Sequence, residues 1–193
     1  MITVPDKIAD PFLERLQKLY ADMDASYAAV AENYGFHCSG CVDNCCRTRF
    51  YHHTHLEYLY LRQGFRRLSR DLRRDIRQRA AEVRRETALL EKTGGPIRLM
   101  CPLNAEGLCL LYPHRPMICR LHGLAHELHR PDLEVSYGPG CDAFTRQSEG
   151  KGYRPFDRTP FYMKMARMEA ELKQAADITR RLKMTIAEMI EIL

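Results

Sequence analysis

The chain has 193 residues, a formal charge of +5 and an apolar fraction of 45%, which fits one globular domain, or one domain with an appendage. It has no run of about 18 apolar residues, and its opening MITVPDKIADPFLERL carries early acids and no apolar core, so neither a spanning helix nor a secretory signal is expected. The expected compartment is therefore the reducing cytoplasm, where structural disulfides are rare.

The first periodic segment is 11–34. Phe12, Leu16, Leu19, Met23, Tyr27, Val30 and Tyr34 recur in steps of three and four, the mark of one helical face. Asp10-Pro11 is a start signal and Gly35 a stop. Residues 36–53 read as irregular, with cysteines among turn formers such as Ser39-Gly40 and Asp43-Asn44. Thr54 and Glu57 form a capping-box pair ahead of a helix that Gly64 interrupts and Ser69 restarts. A thin apolar line through Leu68, Leu72, Ile76, Val83 and Leu89-Leu90 then runs to Gly94-Gly95-Pro96, which ends it.

Residues 97–100 and 108–112 are expected as short strands of a hairpin, 117–129 as a short helix and 137–141 as a turn, with irregular chain through Pro155. Thr159-Pro160 opens a last helix. Its stripe, from Phe161, Met165, Met168 and Leu172 through Ile178, Leu182 and Ile186 to Met189 and Leu193, predicts one element about 50 Å long. Such a helix would pack on 11–34, on the arginine-rich helix, or on a second copy of the chain as a homodimeric coiled coil. The fold class expected is mainly α: long helices around an irregular cysteine-rich metal-binding segment, with one short hairpin. The division expected is a metal-binding domain over 1–158 and a C-terminal helix over 159–193.

Charge is unevenly spread. Residues 62–85 hold ten arginines and three acids. Opposite charges at Arg67-Asp71 and Asp75-Arg79 support a solvated helix, while Asp71-Asp75 repel. A solvated face is the favoured reading, a protein partner the next, and nucleic acid through 62–85 the least favoured, because no aromatic stacking platform accompanies the arginines.

The chemistry of the chain lies in eight cysteines: Cys38, Cys41, Cys45, Cys46, Cys101, Cys109, Cys119 and Cys141. Clustered thiols in a reducing compartment favour metal over a disulfide or thiol-redox centre. Cys38 and Cys41 make a C-x2-C bite that lets one tight turn present two sulfurs, and thiolates suit zinc and iron–sulfur clusters. The run C-x2-C-x3-C matches neither ferredoxin spacing. Adjacent Cys45 and Cys46 fit one mononuclear site poorly, since neighbouring side chains diverge in extended backbone. Eight cysteines divide into two sets of four, which allows two sites.

The string Cys38-x2-Cys41-x3-Cys45-Cys46, followed by Cys101-Pro102, Cys109-x2-Tyr112-x2-Arg115-Pro116-x2-Cys119-Arg120 and Cys141, resembles the cysteine-cluster family described as zinc- or iron-chelating. A larger relative of that family, flagellin lysine N-methylase, carries a similar pattern. The resemblance implies all eight cysteines as metal ligands and an iron–sulfur cluster or zinc as cofactor. Beside it, Tyr112, Arg115 and Arg120 are read as cofactor-binding: Arg115-Pro116 fixes a turn, Arg120 offsets thiolate charge or donates to sulfur, and Tyr112 supplies a second donor.

Histidines stand lower as ligands. His52, His53 and His55 lie in or beside a polar loop. Cys119, His122 and His126 would share a helical face, with His129 nearby, as a mixed second site. No H-E-x-x-H, G-x-G-x-x-G or Walker A string is present. The function expected is metal binding, with an iron–sulfur centre in a redox or accessory role. The alternatives are a zinc-stabilised interaction module, metal handling, and a metal-dependent modifying enzyme.

Overall fold

Residues 3–38, 45–130 and 134–193 are described by the computed structural model. Helix α1 spans Asp6–Asn33 and starts earlier than Asp10-Pro11 implied. Burial of Val4 and Ala9 extends its apolar face toward the N-terminus, and Pro11 is accommodated inside the helix at the loss of one backbone hydrogen bond. The buried face is Ala9, Leu13, Leu16, Leu19, Tyr20, Met23 and Ala31. Phe12, Tyr27 and Val30, on the expected stripe, are only partly buried at its edge.

Two local signals hold as read. Thr54 Oγ1 accepts from the Glu57 backbone N–H at 3.2 Å and donates to the Glu57 carboxylate at 2.7 Å, opening α2 at His55–Arg67. Ser69 Oγ accepts from Leu72 N at 3.2 Å and opens α3, Arg70–Thr93. Gly94, at φ +70°, closes it in the left-handed region. Gly64 does not interrupt α2, which runs through it.

The hairpin is displaced from its expected position. β1 is Asn104–Ala105 and β2 Leu108–Cys109, paired antiparallel, whereas 97–100 forms no strand. The turn decides the register: Glu106 and Gly107 both have positive φ, and Asn104 Oδ1 accepts from Gly107 N at 3.2 Å. The expected helix over 117–129 is also corrected. Helix α4 is Met117–Leu121 only, because the chain turns extended at His122 and Gly123 takes φ +117°, which a helix cannot contain. Beyond it β3, His126–Leu128, pairs with β4, Ser136–Gly138, so part of the expected 137–141 turn is strand. A further short helix, α5 at Asp142–Gln147, is capped by the Cys141 sulfur accepting from Phe144 N at 3.4 Å. Cysteine is not a usual cap, which hid this helix in the sequence.

The single C-terminal helix is broken. Helix α6 is Thr159–Ala175 and α7 is Ile186–Glu191. Asp177 takes a left-handed conformation, Met184 leaves the helical path to pair with His52, and a Thr185–Glu188 capping box restarts the helix. The stripe is consumed within the chain. Helix α6 buries Phe161, Met165, Met168 and Leu172 and packs on α1 and α2, while α7 packs on α3. The fold is mainly α, with two minimal two-stranded sheets among the described residues. No helix among the described residues is long and apolar enough to cross a membrane.

Candidate functional site

Cysteines distant in sequence converge on the turn at Cys45–Arg47. Cys101 N donates to Cys46 O at 2.8 Å, which lays the segment before the hairpin beside Cys46. The β1–β2 pairing sets Cys109 opposite Asn104, and α4 brings Cys119 in from the other side. Each of Cys46, Cys101 and Cys109 disfavours the Cys119 thiolate, after burial as the main cause, and its pKa is held well above the ordinary value. Burial likewise pushes Cys101 up to about 12, against a backbone hydrogen bond from Leu103 and the charge of Arg79, and it raises Cys109 against Arg115 and Arg120. Cys46 goes the other way, to about 6: the Cys45 thiol hydrogen-bonds to it, and the Asn104 amide also favours its thiolate. That amide Nδ2 is buried and forms no full hydrogen bond, a donor with spare capacity beside sulfur.

Cys38 and Cys141 are brought near one another through α5. Gln147 of α5 clamps the His37 main chain, accepting from its N–H at 3.0 Å and donating to its carbonyl at 3.2 Å. This draws Cys38 toward α5, whose cap is Cys141. Cys141 N in turn donates to Gly123 O at 2.8 Å. Tyr27 of α1 lies among them: burial, then the charges of Cys38 and Cys141, with a smaller share from Cys45, raise its hydroxyl pKa far above the usual value. Cys41 lies outside the described residues. Cys101, Cys109, Cys119 and Cys141 are free thiols.

Among the described residues no three or more cysteine, histidine or acidic side chains are arranged to hold a metal ion. The thiols are neighbours without being in coordination geometry. The donor set nevertheless fits a soft metal in kind. It is all sulfur, it carries cationic neighbours at Arg79, Arg115 and Arg120, and the unsatisfied Asn104 amide stands against it.

The three non-cysteine residues proposed from sequence behave differently from one another. Tyr112 is exposed, with the Arg115 guanidinium 3.7 Å from its ring centroid. Arg115 reaches Asp24 at 3.2 Å. Arg120 is buried, donating to Asp24 Oδ2 at 2.6 Å and to the carbonyls of Arg115 at 3.0 Å and Pro113 at 2.5 Å. Its fork is therefore spent on oxygen rather than sulfur, and what it offers the thiols is charge.

The histidines all have other partners or places. His52 is buried and exchanges backbone hydrogen bonds with Met184. His53 is exposed. His55 Nδ1 meets Glu169 at 2.7 Å. His122 stacks edgewise on Phe50, His126 Nδ1 lies 3.2 Å from Leu124 O, and His129 pairs with Glu127 at 2.7 Å. The end of α4 at Leu121 separates Cys119, His122 and His126, so they share no helical face. Tyr27, Asn104 and Arg79 stand around the thiols without a sequence signal that marks them for it. Tyr27 belongs to the apolar stripe of α1, and the other two carry no local signal.

The fold and site define a mainly α protein with a polycysteine focus. No protein family, curated protein or solved structure matches the chain.

Proposed function

We propose that this is a metal-binding protein whose cysteines form two centres meeting at the Cys45-Cys46 peptide, one built from Cys46, Cys101, Cys109 and Cys119 and the other from Cys38, Cys41, Cys45 and Cys141. The observation carrying this reading is the partition itself. Cys46, Cys101, Cys109 and Cys119 act on one another electrostatically, Cys38 and Cys141 act together on Tyr27, and Cys45 joins the two, its thiol hydrogen-bonded to Cys46 and its thiolate disfavoured by burial and by Cys46, Cys119 and Cys38. Cys41 joins the second set by its C-x2-C spacing from Cys38. Iron–sulfur is the favoured occupant, in a redox or accessory role, because Arg79, Arg115 and Arg120 bring positive charge to the first set, where four thiolates need offsetting. When bound, the group supplies electron-transfer capacity. The chain's part is to hold thiolates, offset their charge and join the irregular segments that α1, α2 and α6 enclose. A zinc-stabilised interaction module is the second reading, since sets of four thiols match a closed tetrahedral site. The resemblance to the zinc- or iron-chelating cysteine-cluster family agrees with both.

Anaerobic purification followed by metal and acid-labile sulfide analysis tests the reading. Wild-type protein is expected to retain metal, with visible absorption and sulfide for iron–sulfur, or colourless with zinc. C46S and C45S are expected to lose different centres. Folded wild-type protein without metal removes the proposal, and identical losses in the two variants remove the partition.

A further inference from the structure

Tyr137 and Tyr153 are exposed aromatics that the fold holds in place. They are 67% and 50% exposed, and their rings meet with centroids 6.3 Å apart and planes at 75°. The Tyr153 hydroxyl donates to Glu127 Oε1 at 2.8 Å. The chain beside it is pinned as well: the Tyr34 hydroxyl accepts from Arg154 N at 2.6 Å and donates to Arg154 O at 3.2 Å. Tyr137 is the central residue of β4 and stands directly opposite Glu127 of β3, so the two side chains share one face of the small sheet. On the other face the His126 ring lies where a Cβ on Gly138 would stand. Neither tyrosine belongs to the hydrophobic core or packs against it, so core packing does not account for the pair.

Beside the two rings opens a groove of about 370 Å³, lined by Ala125, Tyr137, Gly138, Pro139 and Tyr153. Small-ligand sites span about 300–1,000 Å³. The lining selects the ligand. Rings at nearly a right angle show two aromatic faces to one corner, and an aromatic face attracts a cation within about 6 Å of its centroid. Glu127 is buried, so water screens its charge little, and its bond to the Tyr153 hydroxyl polarises that ring toward greater electron density. A metal ion is not served, because it demands several oxygen ligands. The lining side chains hold no carboxylate, and the Glu127 oxygens are taken by Tyr153 and by His129 at 2.7 Å. A primary ammonium or a guanidinium needs acceptors for its N–H groups, which alanine, proline and ring faces do not supply. A quaternary ammonium has no N–H and spreads its charge over a methyl shell, which matches ring faces and apolar walls.

We propose that the groove between Tyr137 and Tyr153 binds a free small molecule bearing a trimethylammonium group. The two ring faces and the Glu127 carboxylate supply the attraction, and Ala125 and Pro139 the apolar walls. The groove's volume takes an entire ion of choline's size, so the fit needs no attached chain. None of the lining residues is a cysteine, and the site stands independently of the metal reading.

The test is isothermal titration of the full chain, as purified, with choline at constant ionic strength. Saturable binding at one site is expected for wild type. The neutral analogue of choline, with carbon in place of the ammonium nitrogen, keeps the shape without the charge and is expected to bind about tenfold more weakly or less. Y137A, at an exposed position, is expected to weaken choline by about tenfold or more. E127Q, whose amide oxygen still accepts from Tyr153, is expected to weaken it by about threefold or more. No saturable binding of choline to wild type overturns the proposal, as does equal binding of the neutral analogue or wild-type affinity in Y137A. Equal affinity in a folded E127Q overturns the role of the carboxylate, and if E127Q does not fold, Y137A and the neutral analogue decide. Binding to phosphatidylcholine vesicles without binding to choline assigns the groove to a membrane surface and overturns the free ligand.

Discussion

Asp24 on α1 accepts from Arg120 on α4 at 2.6 Å, and its other oxygen accepts from Arg115 at 3.2 Å. One half-exposed carboxylate thereby fixes both ends of the 115–120 segment that delivers Cys119. The arginine next in sequence to the Cys119 thiol is anchored to a different helix, and its guanidinium lies 4.1 Å from the centroid of the buried Tyr20 ring.

Replacing Asp24 with alanine is expected to cost about 1–2 kcal/mol. Asp24 is 43% exposed, which discounts the ion pair, and Arg120 keeps two backbone carbonyls as partners. Denaturant unfolding of D24A against wild type measures the loss, and an unchanged midpoint would show that the carbonyls alone hold Arg120.

Glu57 is buried, and its Oε1 accepts from Met117 N at 2.9 Å, at the start of α4. E57A removes that acceptor and the Thr54 partner together. A loss of about 2–3 kcal/mol is expected, and about 1 kcal/mol for E57Q, whose amide oxygen still accepts. Thermal melts of the pair give the comparison, with similar losses for both variants telling against the Met117 bond as the main contribution.

His52 predicts acid sensitivity. Burial, with a smaller share from His53, lowers its pKa to about 4. The unfolded imidazole protonates near its ordinary value of about 6.5 while the folded one stays neutral. Stability is therefore full above about pH 6.5 and falls as pH drops toward 4, by on the order of 3 kcal/mol at the lower end. H52F is expected to flatten stability against pH across that window, and a slope equal to wild type would assign the loss to other groups.

Gly64 sets helix propensity against packing. In an open helix interior, alanine is favoured over glycine by about 1 kcal/mol. Here an added Cβ would stand 2.5 Å from Cγ of the His114 ring, which is packed on Tyr60 at 4.7 Å. G64A is expected to destabilise by about 1–3 kcal/mol. In an H114A background the sign should reverse, and equal effects in both backgrounds would exclude the ring as the cause.

The helices that were legible had their signals within a turn of themselves. Thr54, Ser69 and Gly94 act on backbone groups three or four residues away, so their residue types alone announced α2 and α3. The Thr185–Glu188 capping box is just as local, but the apolar stripe that runs across 176–185 masks it in the sequence. Apolar periodicity records which residues seek burial, and it does not record whether the chain stays helical between them.

The sequence by itself determined the mainly helical class and the cysteine focus, because periodicity, capping and thiol chemistry are properties of short stretches. Tertiary structure alone decided which cysteines lie near one another. Cys45 and Cys46 are neighbours in the chain, yet Cys46 meets Cys101 through a backbone hydrogen bond and Cys141 is placed by Gly123 and α5. It also decided that Arg120 pairs with Asp24, while no carboxylate among the described residues pairs with Arg158. Those assignments depend on which helices and turns pack together, and packing of distant segments leaves no mark in the spacing of residues along the chain.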